Sequence, residues 1–256
     1  MIPLLLILAA QALAQPQAAP RVERLDESSF LLGLDVGAGV SVGAAQARLA
    51  PAAKLACQSR RAVMGRFRFL SEAGANSFEQ ELLCIDARHR LGTIAAAAAD
   101  QPLAPERADQ QAVLAASYGY FAAKDNGRYG DAHHLLSDGM KQRFPLADWT
   151  ASARAFDAEA GAVRGRRVVE ITWYNNPADA PEPGLYVAAD FSAEFAATEF
   201  VCGYLMWRVQ PDGGFRLVRE EQNAAPKRSG GRSIAKIDRD PLRARMGCKD
   251  YRATDA

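Results

Sequence analysis

The sequence has 256 residues, with 31 Lys or Arg against 30 Asp or Glu, a net charge of +1 and 49% hydrophobic residues. This composition is typical of globular proteins. It excludes a wholly disordered chain, a collagen and a nucleic-acid binder that relies on net positive charge. The length allows one large domain or two small ones.

An apolar segment opens the chain. Residues 2–14 read IPLLLILAAQALA, which is shorter than the roughly 20 residues that a membrane-spanning helix needs. The segment ends in the A-x-A pattern of a signal-peptide cleavage site. We therefore predict a signal peptide over residues 1–14, with cleavage after Ala14, and a periplasmic or secreted mature chain without a transmembrane segment.

Four cysteines are spread along the chain, and export makes disulfide bonds their expected state. The sequence contains no C-x-x-C pair, and its three histidines are not at zinc-finger spacing. We therefore expect no metal site. Three pairings of four cysteines are possible. We predict Cys57 with Cys84 and Cys202 with Cys248, because each pair then closes within one half of the chain.

A linker divides the mature chain. Residues 94–105 read IAAAAADQPLAP, small residues followed by prolines, which is typical of a domain boundary. Before the linker, residues 21–93 predict a small α+β module. Residues 41–50 predict a helix that Ser41 caps and Pro51 ends. Residues 65–70 and 77–86 alternate apolar and polar positions around a Gly/Asn turn, which predicts a β-hairpin.

Three features of this module carry a resemblance to a known family. They are Gly39, the helical residues Ala45 and Leu49, and the run from Cys84 to Ile94 through an aspartate turn. Over residues 33–94 the module resembles SmpA/OmlA-like envelope domains. The resemblance implies a shape for the module and no activity.

The second module, residues 106–223, changes its hydrophobic period part-way. Apolar residues that recur every three or four positions predict three helices, over residues 110–124, 131–142 and 145–157. Apolar residues that recur every second position then predict four strands, over residues 167–174, 185–195, 199–209 and 215–220. The expected fold is α+β, a cone in which three helices pack on a curved antiparallel sheet.

Several motifs of this module are familiar: Gly130-Asp131 followed by HHLLSDGMKQ, Trp149, Gly165-Arg166, the run Gly184 to Val187, and a closing WRV-turn-FRLVRE. Over about residues 107–223 the sequence resembles an uncharacterised secreted family, domain of unknown function 4019. The resemblance implies a nuclear transport factor 2-like, cystatin-like cone fold and an envelope location. It brings no catalytic residue with it.

The last segment, residues 226–256, is basic, with nine Lys or Arg against four Asp. We predict a tail that the Cys202–Cys248 disulfide tethers to the sheet. Its candidate apolar anchors are Ile234, Ile237, Leu242 and Met246.

A cone fold places a pocket between its sheet and its helices. Tyr174, Asp190, Tyr204 and Arg219 are the polar candidates to line that pocket. Sequence does not fix their strand faces, since a slip of one residue reverses every side chain. A second candidate contact surface is the strand end Trp173 to Pro177. No G-x-S-x-G and no dinucleotide fingerprint occurs, so we assign no catalytic residue and expect no cofactor.

Three functions are compatible with these features. The leading hypothesis is an exported envelope protein of unknown biochemical role, a non-catalytic scaffold that binds an envelope protein or a small ligand. The first alternative is a small-molecule hydrolase or isomerase that uses Asp190 with Tyr174 or Tyr204. The second alternative is an electrostatic adaptor whose basic tail binds anionic envelope polymers. The sequence specifies neither the ligand nor the oligomeric state.

Overall fold

The computed structural model describes residues 19–72, 75–86, 103–227 and 232–249. Within these ranges the fold is α+β, with an eight-stranded antiparallel sheet and six helices. In chain order the elements are β1 (Arg21–Arg24), β2 (Ser29–Val36), α1 (Val42–Cys57), β3 (Arg61–Glu72), β4 (Ala75–Ile85), α2 (Arg107–Asp125), α3 (Tyr129–His134), α4 (Asp138–Arg143), α5 (Leu146–Ala160), β5 (Val163–Asn175), β6 (Leu185–Phe195), β7 (Thr198–Val209), β8 (Phe215–Pro226) and α6 (Lys236–Arg245).

One sheet runs through both predicted modules, in the order β1-β2-β4-β3-β5-β6-β7-β8. The predicted hairpin is present as β3 and β4. β3 joins β5 through a short pairing, Phe67 opposite Arg166 and Arg68 opposite Gly165. The strands of the two predicted modules therefore pair with each other, β3 with β5, in one continuous sheet. Their division at residues 94–105 stays a prediction, and most of that linker lies outside the described residues, as do the predicted signal peptide and its cleavage site.

Helix α1 begins where the sequence predicts, because the Ser41 hydroxyl accepts a hydrogen bond from the Ala44 backbone N–H at 3.2 Å. Its predicted end at Pro51 is wrong. The helix continues through Pro51 to Cys57, although an interior proline removes one backbone hydrogen bond and costs about 3 kcal/mol. Buried residues lie on both sides of the proline and pack on β2, β3 and β4: Val42, Ala45, Leu49, Ala53 and Cys57. Burial of this continuous face offsets the cost.

The second module has four helices where the sequence predicts three. The predicted helix over residues 131–142 is divided into α3 and α4. At the break, Leu217 of β8 donates its backbone N–H to the Leu135 carbonyl at 2.9 Å and accepts from the Ser137 N–H at 2.8 Å. Ser137 then caps the N-terminus of α4, because its hydroxyl accepts a hydrogen bond from the Met140 backbone N–H. These tertiary hydrogen bonds replace the helical ones, which helical periodicity alone does not reveal.

Both predicted disulfides are present, Cys57–Cys84 and Cys202–Cys248, with Cα–Cα distances of 5.1 and 5.5 Å. The second holds the tail against β7. Leu242 and Met246 pack beside it, against Phe200. Ile237, expected as an anchor, is 82% exposed instead, because its side of α6 faces away from the sheet.

Candidate functional site

The space between the helices and strands β5 to β8 is filled by the chain's own side chains. Trp207, Tyr120, Phe121 and Phe191 are all buried there. The Trp207 indole N–H donates to the Ser117 hydroxyl at 3.0 Å inside this core. The pocket expected on this side of the sheet is therefore occupied at its centre.

The polar groups of this core satisfy one another. Glu220 accepts hydrogen bonds from the Tyr120 hydroxyl at 2.5 Å and from the Lys124 ammonium at 2.7 Å. Burial disfavours the charged carboxylate, but Lys124 and Tyr120 outweigh burial and hold the pKa of Glu220 below its usual value. Burial, reinforced by Glu220, raises the pKa of Tyr120 well above its usual value. The cluster is an internal ion pair and not an acid or base aimed at solvent.

A second internal pair lies beside it. The guanidinium of Arg166 binds Asp125 through two hydrogen bonds of 2.7 and 3.0 Å, with both side chains buried. Three aromatic rings surround the guanidinium, those of Phe121, Phe191 and Phe195. This pair also sits where β5 meets β3, and it therefore stabilises the junction of the two predicted modules.

The four predicted pocket residues lie on the opposite face of the sheet. Asp190 is paired in register with Tyr204, and both alternate with residues of the helix-side core. Arg219 contacts the Tyr204 ring, and Tyr174 is paired with Tyr186 on the same outer side. Asp190, Tyr204 and Arg219 do come together, but Tyr174 lies at the far end of β5. These residues line the outer face and not a helix-side pocket.

Asp190 is held by the tail. The Lys249 ammonium lies 2.9 Å from Asp190 and 3.3 Å from Glu170. Burial opposes the charge on Lys249, but the two carboxylates outweigh it and raise the pKa of this lysine. Tyr204 donates instead to Glu221, at 2.9 Å, and Arg219 binds the same carboxylate at 2.7 Å. Asp190 and Tyr204 therefore belong to two separate ion clusters.

A trough of about 650 Å³ lies on this outer face. Its floor is formed by β3 and β4 on one side and by β5 and β6 on the other, and α6 forms a wall. Six basic and five acidic side chains line it: Arg66, Arg68, Arg167, Lys236, Arg239, Arg243, Glu79, Glu81, Glu194, Glu199 and Asp240. Arg166 also borders the trough, but its guanidinium is buried on the helix side with Asp125. The trough is therefore strongly charged and slightly positive.

The sequence alone did not point to these trough residues. One sequence signal does indicate part of the trough: Arg66 and Arg68 flank Phe67 in β3, and this alternation predicts a polar face on the hairpin. The alternation does not show that residues of α6 lie across from that face. The trough depends on α6 crossing the sheet, which the Cys202–Cys248 bridge and the Asn223 hydrogen bond to the Met246 carbonyl hold in place.

Residues 116–219 match the family described as "Protein of unknown function (DUF4019)". The resemblance predicted from the sequence is therefore confirmed for this segment. The DUF4019 segment runs from within α2 into β8. This segment contributes Arg167, Ser192 and Glu199 to the trough. Arg68 and α6, which also line the trough, lie outside the matched segment.

No curated protein matches the chain. The resemblance of residues 33–94 to SmpA/OmlA-like domains stays a prediction. None of the helices in the described ranges has the length and apolar character needed to cross a membrane. The described residues also contain no group of three His, Cys, Asp or Glu side chains placed to hold a metal ion.

Proposed function

We propose that this protein is an exported envelope protein that acts as a non-catalytic binding scaffold, with the outer trough as its ligand-binding surface. One observation carries the proposal: the helix side of the sheet is filled by Trp207, Tyr120 and neighbouring side chains, while a charged concavity of about 650 Å³ is open on the other side. Ligand sites in proteins are concave and occupy roughly 300 to 1,000 Å³, and the trough lies within that range.

Export rests on the apolar segment before Ala14 and on the two disulfides. Disulfides persist in oxidising compartments such as the periplasm and the extracellular space. The Cys202–Cys248 pair is directly involved in the proposed site, because it fixes the strand that carries Phe200 and the helix that carries Arg243. An oxidising location and an intact trough are therefore linked.

The hydrolase or isomerase alternative requires Asp190 as a base. The Lys249 ammonium at 2.9 Å occupies that carboxylate, and this contact favours the scaffold over the enzyme. Asp190→Asn tests the alternative. We expect the wild-type protein and this variant to show the same background rate with p-nitrophenyl esters. A wild-type rate above background that Asp190→Asn abolishes would support the enzyme.

The adaptor alternative requires tail cations that face a polymer. Arg239 is paired with Glu199 at 3.3 Å, and Arg243 lies over the Phe200 ring. Two of the tail arginines thus point to the trough and not outward, which favours the trough over the tail surface as the binding site. Salt-sensitive polymer binding that is lost on deletion after Ala225, yet kept by a trough variant, would support the adaptor.

Photo-crosslinking in cells of the source organism tests the scaffold. The crosslinker p-benzoylphenylalanine replaces Leu70, which lines the trough, or Leu55, which is 80% exposed on the outer side of α1. We expect a covalent adduct from position 70 and none from position 55. Ser192→Trp, which narrows the trough floor, should suppress the adduct while circular dichroism stays unchanged. Absence of any adduct, or equal adducts from both positions, would contradict the proposal.

A further inference from the structure

We infer that the trough binds an extended acidic peptide segment through its arginine side chains. The inference rests on the proposed function and adds the class of ligand. Guanidinium groups reach the trough from three elements: Arg66 and Arg68 from β3, Arg167 from β5, and Arg239 and Arg243 from α6. A planar guanidinium with five N–H donors matches the geometry of a carboxylate better than any other side chain does.

Most acids of the trough are already neutralised by these arginines. Glu79 is bound by Arg68 at 2.7 Å and Glu81 by Arg66 at 3.3 Å. Glu199 accepts from Arg239 and also from the backbone N–H of Ile234 at 3.1 Å. The internal pairs reduce the repulsion that these carboxylates would exert on an acidic ligand.

The arginines of β3 keep donor capacity for a ligand. Arg66 and Arg68 each reach their glutamate through Nε, and their side chains are 56% and 63% exposed. The terminal nitrogens of the two forks are therefore accessible from the trough. Lys236 adds an exposed ammonium at the opposite wall. An acidic chain that crosses between these walls meets a cation at each side.

The mixed lining favours carboxylates over phosphates. Glu194 and Asp240 also line the trough, and the excess of basic over acidic side chains is small. A polymer with densely spaced phosphates would be repelled by these acids, whereas singly charged carboxylates at peptide spacing can alternate with them. Leu31 and Leu70, both partly exposed, provide apolar contacts for the stems of peptide side chains.

Fluorescence anisotropy with the full-length oxidised protein tests the ligand class. The probe is fluorescein-labelled hexaglutamate, with hexalysine and inorganic phosphate as comparison ligands. We expect hexaglutamate to bind more tightly than hexalysine, and its affinity to fall as salt is added. Phosphate should compete only weakly. Competition by phosphate as strong as that by unlabelled hexaglutamate would overturn the peptide assignment.

Two substitutions and one control locate the site. Arg68→Gln and Lys236→Gln should each weaken hexaglutamate binding about three- to tenfold, the loss expected for one charge-assisted contact. The control is Arg128→Gln, whose side chain is 56% exposed, against 63% for Arg68, but pairs with Asp131 at the start of α3. The control should leave the affinity unchanged. An equal loss in all three variants would show non-specific attraction and refute the trough site.

The two proposals can fail separately. If hexaglutamate does not bind but Leu70 gives its specific adduct, the acidic-peptide inference is wrong and the scaffold function stands. If no specific adduct forms, the scaffold function itself fails. Circular dichroism of each variant excludes loss of folding as the cause.

Discussion

The Nζ atom of Lys249 lies 2.9 Å from a carboxylate oxygen of Asp190, on the face of the sheet opposite helices α2 to α5. Lys249 follows Cys248, which is bonded to Cys202. The disulfide and the ion pair therefore fasten adjacent tail residues to neighbouring strands, β7 and β6. Together they position α6 along the trough.

Removal of the disulfide should loosen the tail. The apolar anchors of α6 are chiefly Leu242 and Met246, and partly exposed ion pairs contribute only about 0 to 1 kcal/mol each. We expect Cys202→Ser/Cys248→Ser to be cleaved by trypsin within α6 several times faster than the wild type, while the rest of the chain persists. Limited proteolysis with mass spectrometry measures this effect.

The matched control is Cys57→Ser/Cys84→Ser, which removes the other bridge. Its tail should be cleaved at the wild-type rate under conditions in which the protein remains folded. A tail that resists trypsin in Cys202→Ser/Cys248→Ser would show that packing alone holds α6.

Glu220→Gln should destabilise the protein in a pH-dependent way. At neutral pH the variant leaves the buried Lys124 ammonium without its carboxylate, a loss of about 3 kcal/mol in unfolding free energy. Because folding lowers the pKa of Glu220 from 4.5, the carboxylate stabilises the fold above that pH. The contribution is lost as the pH falls through the lower, folded value. The difference between wild type and variant should therefore shrink below pH 4.5.

Urea denaturation at several pH values measures this difference. The control is Glu182→Gln, which removes a carboxylate that is 63% exposed and paired with Arg208. It should change the unfolding free energy by less than about 1 kcal/mol at every pH. A Glu220→Gln effect that is constant from pH 7 to pH 3 would contradict the assigned direction of the pKa.

Asp125→Asn should destabilise the junction between β3 and β5. The substitution leaves Arg166 charged and buried among three phenylalanine rings, which costs about 3 kcal/mol or more. The double variant Asp125→Leu/Arg166→Met should recover most of this loss, because it removes both charges and keeps the volume. A double-mutant cycle by urea denaturation tests the coupling, and additive losses would refute it.

Gly203→Ala tests a close approach between β7 and β8. A Cβ atom at this position would lie only 1.8 Å from the backbone carbonyl oxygen of Glu221. The strands must shift to accept it, at a cost of roughly 3 kcal/mol in unfolding free energy. The control Gly119→Ala lies within α2 with no atom near the added Cβ, and it should stabilise the helix by about 0.8 kcal/mol. Thermal unfolding compares the two, and equal effects would contradict the packing.

Local sequence signals determined much of this architecture. The hairpin of β3 and β4, helices α2 and α5, and strands β5 to β8 follow from hydrophobic period and turn residues, because those signals act over a few neighbouring positions. The pairing of Cys57 with Cys84 and of Cys202 with Cys248 followed from the division of the chain into halves. The DUF4019 resemblance likewise rests on residues that can be read in order.

Only the tertiary structure decided the faces of the strands and the position of the trough. Register shifts interrupt β5 between Val168 and Glu170, and the β7–β8 pairing between Met206 and Trp207. Each shift changes which residues of its strand share a face, so the sides on which Tyr174 of β5 and Arg219 of β8 point do not follow from alternation alone. Long-range contacts, such as Leu217 with Leu135 and Lys249 with Asp190, join residues far apart in the chain. Local periodicity carries no information about such pairs, which is why the trough emerges only in the folded protein.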